Sequence, residues 1–118
     1  MVEINVSIGE LIDKITILRI KSGFTDSPYV RKELEDLEKI VETINYNSSD
    51  ESLLYGINQE LWNVEDLLRQ KEKQQDFGDE FIALARSVYY LNDKRASIKK
   101  KINEECDSDY REIKCYQN

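Results

Sequence analysis

Apolar side chains recur along this chain at alternating intervals of three and four residues, the spacing that puts them on one face of a helix. The clearest run lies between Phe77 and Glu105, where Phe81, Leu84, Val88, Leu91, Arg95, Ile98 and Ile102 form one seam. Its fifth member is an arginine, and a guanidinium facing a packed interior must be paired or must hold something, because an unpaired buried charge is prohibitively costly. A second run, Val30, Leu34, Leu37, Val41 and Ile44, follows Asp26-Ser27-Pro28, an N-cap candidate with proline at the first helical position, and ends near Asn45. A third, Leu54, Ile57, Leu61, Val64 and Leu68, fades in the polar stretch Gln70 to Gln75. Asn47-Ser48-Ser49-Asp50 and Asp76-Phe77-Gly78-Asp79 read as the connecting loops.

The first helix differs from the others. Ser7-Ile8-Gly9-Glu10 reads as a capping box that starts it, and Gly23 ends it. Ile8, Leu11, Ile15 and Leu18 make its main stripe, yet Ile12, Ile17 and Ile20 fall on the opposite side when positions are stepped at about 100° each. A helix apolar all round must be covered all round. Either the other helices and strands at the termini enclose it or a second copy does, and the pattern therefore predicts a homo-oligomer, with Ile12, Ile17, Ile20, Trp62 and Tyr89 as candidate interface residues.

Val2, Ile4 and Val6 alternate with Glu3 and Asn5 as in a short half-buried strand, and Tyr110 to Tyr116 is a weaker second candidate. A two-stranded ribbon of these termini would have to rest on the helices. The predicted fold is all-α, a four-helix antiparallel bundle of helical hairpins in one domain over residues 1–118, with that ribbon as an accessory.

Composition narrows the chemistry. The chain has 118 residues, 40% hydrophobic and 35% charged, with four Gly and one Pro, which suits long helices in one domain better than a turn-rich β fold. Its net charge of −7 repels phosphate backbones, and the one dense basic cluster, Lys94, Arg95, Lys99, Lys100 and Lys101, is soon followed by Glu104, Glu105, Asp107 and Asp109, so no nucleic-acid partner is expected. Histidine is absent, which removes His-based triads and His-ligated zinc, and the two cysteines, Cys106 and Cys115, do not complete a structural zinc site. Neither metal nor cofactor is expected. With no export signal and no long apolar block, the expectation is a cytoplasmic protein that does not enter membranes and keeps its cysteines reduced.

Several polar residues fall where the interior should be. Asn58 and Glu65 lie on the apolar side of the third helix, Asn92, Arg95 and Lys99 beside the seam of the fourth, and Lys14 and Lys21 at the edge of the first, with Glu10 beside them. One reading is a Glu65–Arg95 ion pair between helices that fixes their register. The other is a pocket for a small anionic metabolite, since Lys14, Lys21, Arg95 and Lys99 outnumber the carboxylates and arginine suits bidentate capture of carboxylate or phosphate. The ligand-binding candidates are therefore Lys14, Lys21, Asn58, Glu65, Asn92, Arg95 and Lys99.

Taken together, Val6 to Leu18, Asn58-Gln59-Glu60-Leu61-Trp62, Asp76-Phe77-Gly78, Leu84 to Tyr89 and Asn92-Asp93-Lys94-Arg95 resemble domain-of-unknown-function family 6165, small bacterial and phage-encoded proteins. The resemblance covers nearly the whole chain and implies an identity without a mechanism. More distantly, Leu11-Ile12-Asp13-Lys14-Ile15 and Leu91-Asn92-Asp93-Lys94-Arg95 are similar to the pattern by which small all-helical chorismate mutases turn cations toward a dicarboxylate pocket, although this chain breaks its first helix between Gly23 and Pro28. Two functions are thus carried forward: a self-associating binding or assembly module, and an anion-site enzyme of the mutase kind.

Overall fold

The structure, a computed structural model, describes residues 1–106. Among the described residues four helices follow one another: α1 Ile8–Ser22, α2 Pro28–Val41, α3 Ser48–Lys73 and α4 Asp79–Glu105. The all-α expectation holds, and no strand occurs among the described residues. Val2, Ile4 and Val6 lie exposed in an irregular segment, because an alternating stretch needs a paired neighbour to become a strand. The second strand candidate, Tyr110 to Tyr116, and Cys115 lie outside the described residues.

Local chemistry sets the helix ends. The Ser7 hydroxyl accepts from the Glu10 amide at 3.1 Å, one half of the capping box, but the Glu10 carboxylate turns away to Lys99 instead of reaching back. Pro28 opens α2 as expected, while the helix stops at Val41, ahead of Asn45. Beyond it the chain tightens: Thr43 and Ile44 donate their amides three residues back, to Ile40 and Val41, and this brings Ile44 onto the core. The segment expected as a loop at Asn47 to Asp50 is instead a cap and a first turn. Asn47 accepts from the Ser49 amide at 3.0 Å, and Asp50 and Glu51 complement the positive end of α3. At its far end α3 runs on to Lys73, since Gln, Lys and Glu are strong helix formers that need no apolar stripe. The turn into α4 uses Gln75 at φ 55°, with Asp76 accepting from the Gly78 amide at 3.3 Å.

α1 packs against each of the other three helices, and α3 packs against α4. This placement explains an apolar circumference. Ile12, Ile15, Leu18 and Ile20 are all buried within the one chain, so of the residues that suggested a second copy Ile12 and Ile20 are covered by its own helices, while Ile17 is only half-buried. Leu11, Ile12, Ile15, Val41, Leu54 and Ile102 form the core, with Leu34, Leu37, Ile44 and Ile98 packed on its margin. α3 and α4 outrun α1, and from position 59 to position 90 no residue is buried. Lys71 pairs with Glu80 at 2.8 Å at one end of α3 and α4, and Asp50 with Lys101 at 3.0 Å at the other.

Candidate functional site

Asp13 is the centre of the polar interior. It sits in the middle of α1 at 1% exposure, between Ile12 and Ile15, where a carboxylate must be neutralised and hydrogen-bonded. Arg95 of α4 grips it bidentately, Nε to Oδ1 at 2.9 Å and Nη2 to Oδ2 at 2.5 Å. The amide nitrogen of Asn58, from α3, donates to Asp13 Oδ1 at 2.9 Å and to Thr16 Oγ1 at 2.8 Å. Thr16 in turn donates to the Asp13 carbonyl at 2.7 Å. Lys99, also buried, lies 2.7 Å from Glu10 and 4.0 Å from Asp13. Among the described residues two carboxylates and two cations therefore balance in this cluster, and α1, α3 and α4 are tied at one level. One turn away, Asn103 accepts from the Gly9 amide at 2.6 Å. Only glycine fits there: a Cβ on Gly9 would stand 2.6 Å from the Lys99 carbonyl oxygen and 2.8 Å from Asn103 Oδ1.

Beside this cluster opens a cleft of about 540 Å³ between α1, α3 and α4. Its apolar lining is Ile17, Ile20, Leu61 and Trp62, and its polar wall is Asn58, Asn92 and Arg95. Glu65, Asp66 and Arg69 complete it on α3. Arg95 reaches Asn92 Oδ1 at 3.5 Å, while Glu65 and Arg69 form an ion pair at 3.3 Å within their own helix. Trp62 stacks on Phe24 with ring centroids 5.0 Å apart and an interplanar angle of 19°.

The seven residues nominated from sequence divide. Asn58, Glu65, Asn92 and Arg95 line the cleft, and Lys99 stands behind its wall beside Glu10 and Asp13. Lys14 is exposed and pairs with Glu33 at 3.2 Å, and Lys21 is exposed in the last turn of α1, where a cation suits the helix dipole. The carboxylate gripping Arg95 is that of Asp13, where the helical pattern had offered Glu65. Among the interface candidates, Ile12 is wholly enclosed by its own chain, Ile17, Ile20 and Trp62 line the cleft, and Tyr89 is half-exposed beside Tyr90, ring centroids 4.4 Å apart. Sequence reasoning passed over Asp13, Thr16 and Asn103. For Asp13 and Thr16 a signal was present: short polar side chains among the isoleucines of a helix that is apolar all round are candidates for its interior.

A second polar group lies where α3 begins and α4 ends. Asp50 is 1% exposed and takes Lys101 at 3.0 Å on one carboxylate oxygen. Hydrogen bonding to Asp50, then burial and the charge of Asp50, push the Glu105 carboxyl up from its ordinary value against the opposing pull of Lys101. Burial, with the charges of Glu105 and Asp50, pushes the Cys106 thiol up, which disfavours the nucleophilic thiolate. Among the described residues no group of three or more His, Cys, Asp or Glu could hold a metal ion, and no helix is long and apolar enough to cross a membrane.

Fold and site define a small all-helical module in which a charge-balanced buried cluster backs an open cleft. The chain belongs to DUF6165, a family of unknown function, whose family model matches residues 2–118. No curated protein and no solved structure matches it.

Proposed function

We propose that this protein is a binding module for a small organic molecule and that the cleft between α1, α3 and α4 is its site. One observation carries the proposal: Asn58 and Arg95 are held in the cleft wall by a buried network that already meets their structural needs. Side chains locked in this way present fixed hydrogen-bonding groups over an apolar lining, and a volume near 540 Å³ suits a ligand of metabolite size. Trp62 is the only tryptophan and lines the cleft, so its fluorescence reports occupancy. A screen of small fragments should give saturable Trp62 responses that disappear in Ile17→Phe, which extends a ring into the cleft. Responses that survive that substitution would place binding elsewhere and defeat the proposal.

The enzyme reading draws less support. Its cations are engaged: Lys14 with Glu33, Lys99 with Glu10 and Arg95 with Asp13, so no cluster of cations awaits a dicarboxylate. For self-association, α1 no longer argues, and what favours it is the apolar surface outside the core, including Ile82, Tyr89 and Tyr90 on α4. Sedimentation velocity at micromolar concentration tests this part, with a dimer expected and a monomer counting against it. The ion pairs Lys71–Glu80 and Asp50–Lys101, at opposite ends, support reading α3 and α4 as an antiparallel hairpin.

A further inference from the structure

Among the described residues the charges around the cleft do not cancel, and the imbalance has one source. In the buried cluster Glu10 and Asp13 offset Lys99 and Arg95, and on α3 the Glu65 carboxylate offsets the Arg69 guanidinium. Asp66 is the remaining charge in the lining, exposed, with no ion pair or hydrogen bond among the described residues. It lies four residues after Trp62, hence on the same side of α3. A carboxylate next to an indole is a pairing that favours a positive charge: one offers a counter-ion, the other the negative face of its ring. Neutral hydrogen-bonding capacity agrees. Asn58 commits both amide hydrogens to Asp13 and Thr16, which leaves its carbonyl oxygen as an acceptor for a donor-rich ligand. At long range the net charge of −7 draws cations toward the chain and repels anions.

We infer that the cleft takes a small organic cation, an ammonium or guanidinium carried on an apolar or aromatic body, with its charge beside Trp62 and Asp66 and its body against Ile17, Ile20 and Leu61. This rests on the cleft being the binding site, and it reverses the sign of the ligand that a bare count of lysines and arginines favours. Lys14, Lys99 and Arg95 are matched by carboxylates that the count leaves out, Asp13 above all, and Lys21 is exposed outside the lining.

Three probes of nearly equal shape separate the alternatives: 2-phenylethylamine, 2-phenylethanol and 3-phenylpropionate, titrated against the full-length protein with Trp62 fluorescence as readout. The amine should bind at least about threefold more tightly than either isostere, and Asp66→Asn should weaken it by about three- to tenfold while leaving the alcohol unchanged. Raising the salt concentration should weaken the amine alone. Should 3-phenylpropionate bind as well as the amine, or Asp66→Asn leave the amine untouched, the cation assignment is overturned. In that event a response still abolished by Ile17→Phe keeps the cleft as the site, whereas saturable binding by none of the three counts against both readings.

Discussion

Gly9 and Asp13 show how much a single position can decide. Gly9→Ala should destabilise the protein by about 1 to 3 kcal/mol, since the added methyl meets the backbone of α4, which cannot swing aside as a long side chain would. Urea denaturation followed by circular dichroism measures it. Asp13→Asn keeps the shape but removes the charge that Arg95 grips, and uncoupling a buried pair in this way costs about 3 to 5 kcal/mol. The same denaturation curve, run against wild type, gives that difference. Acidity enters through Glu105. Its carboxyl is pushed above 4.5 by hydrogen bonding to Asp50, so the folded protein keeps this proton to a higher pH than the unfolded chain does. The corresponding stability is complete below the ordinary glutamate value and is lost as pH rises through the raised one. Relative to Glu105→Gln, the wild-type melting temperature should therefore fall as pH rises from about 4 to 7, and parallel profiles would refute the Glu105–Asp50 contact. At this scale the sequence identified Arg95 as a buried cation needing a partner but supplied the wrong one. Glu65 lies on the apolar stripe of α3 yet is satisfied locally by Arg69, four residues on, while Asp13 was hidden among isoleucines on a helix with no polar side to assign it to.

Among the elements, α1 bears the greatest share of the packing. Ile15→Ala, at a site with no solvent exposure, should cost about 2 to 5 kcal/mol, whereas Ile82→Ala on the outer side of α4, 51% exposed, should stay within about 0.5 kcal/mol. Paired chemical denaturation distinguishes them. The start of α1, the proline opening of α2 and the span of α4 were legible, because caps and a strict apolar spacing are local signals. The ends of α2 and α3 were not. α2 stops while its apolar spacing continues, because the chain turns to place Ile44 on the core, and α3 continues after its spacing has stopped, because backbone propensity and Lys71 contacts to Asp76 and Glu80 carry it. Periodicity marks which residues face an interior; it does not say where the backbone changes direction.

Across the whole molecule, buried residues gather at one end. The stretch from position 59 to position 90 has half-covered apolar residues and none that is buried, so its backbone hydrogen bonds are less shielded than those of α1. Amide hydrogen exchange should be faster there than in α1 and in the part of α4 after Leu91, and equal protection along all of α4 would contradict this gradient. The number of helices and the family were legible from the chain, as was the need to cover α1, but whether neighbours or a second copy covered it was not, since an apolar stripe does not name its partner.

The bend at Gln74 to Gly78 joins the ends of α3 and α4 farthest from Asp13, and all five of its residues are exposed. A reporter domain spliced into that bend would lengthen the molecule at its least committed point, leaving untouched both the isoleucines that hold it together and the recess in which Trp62 sits.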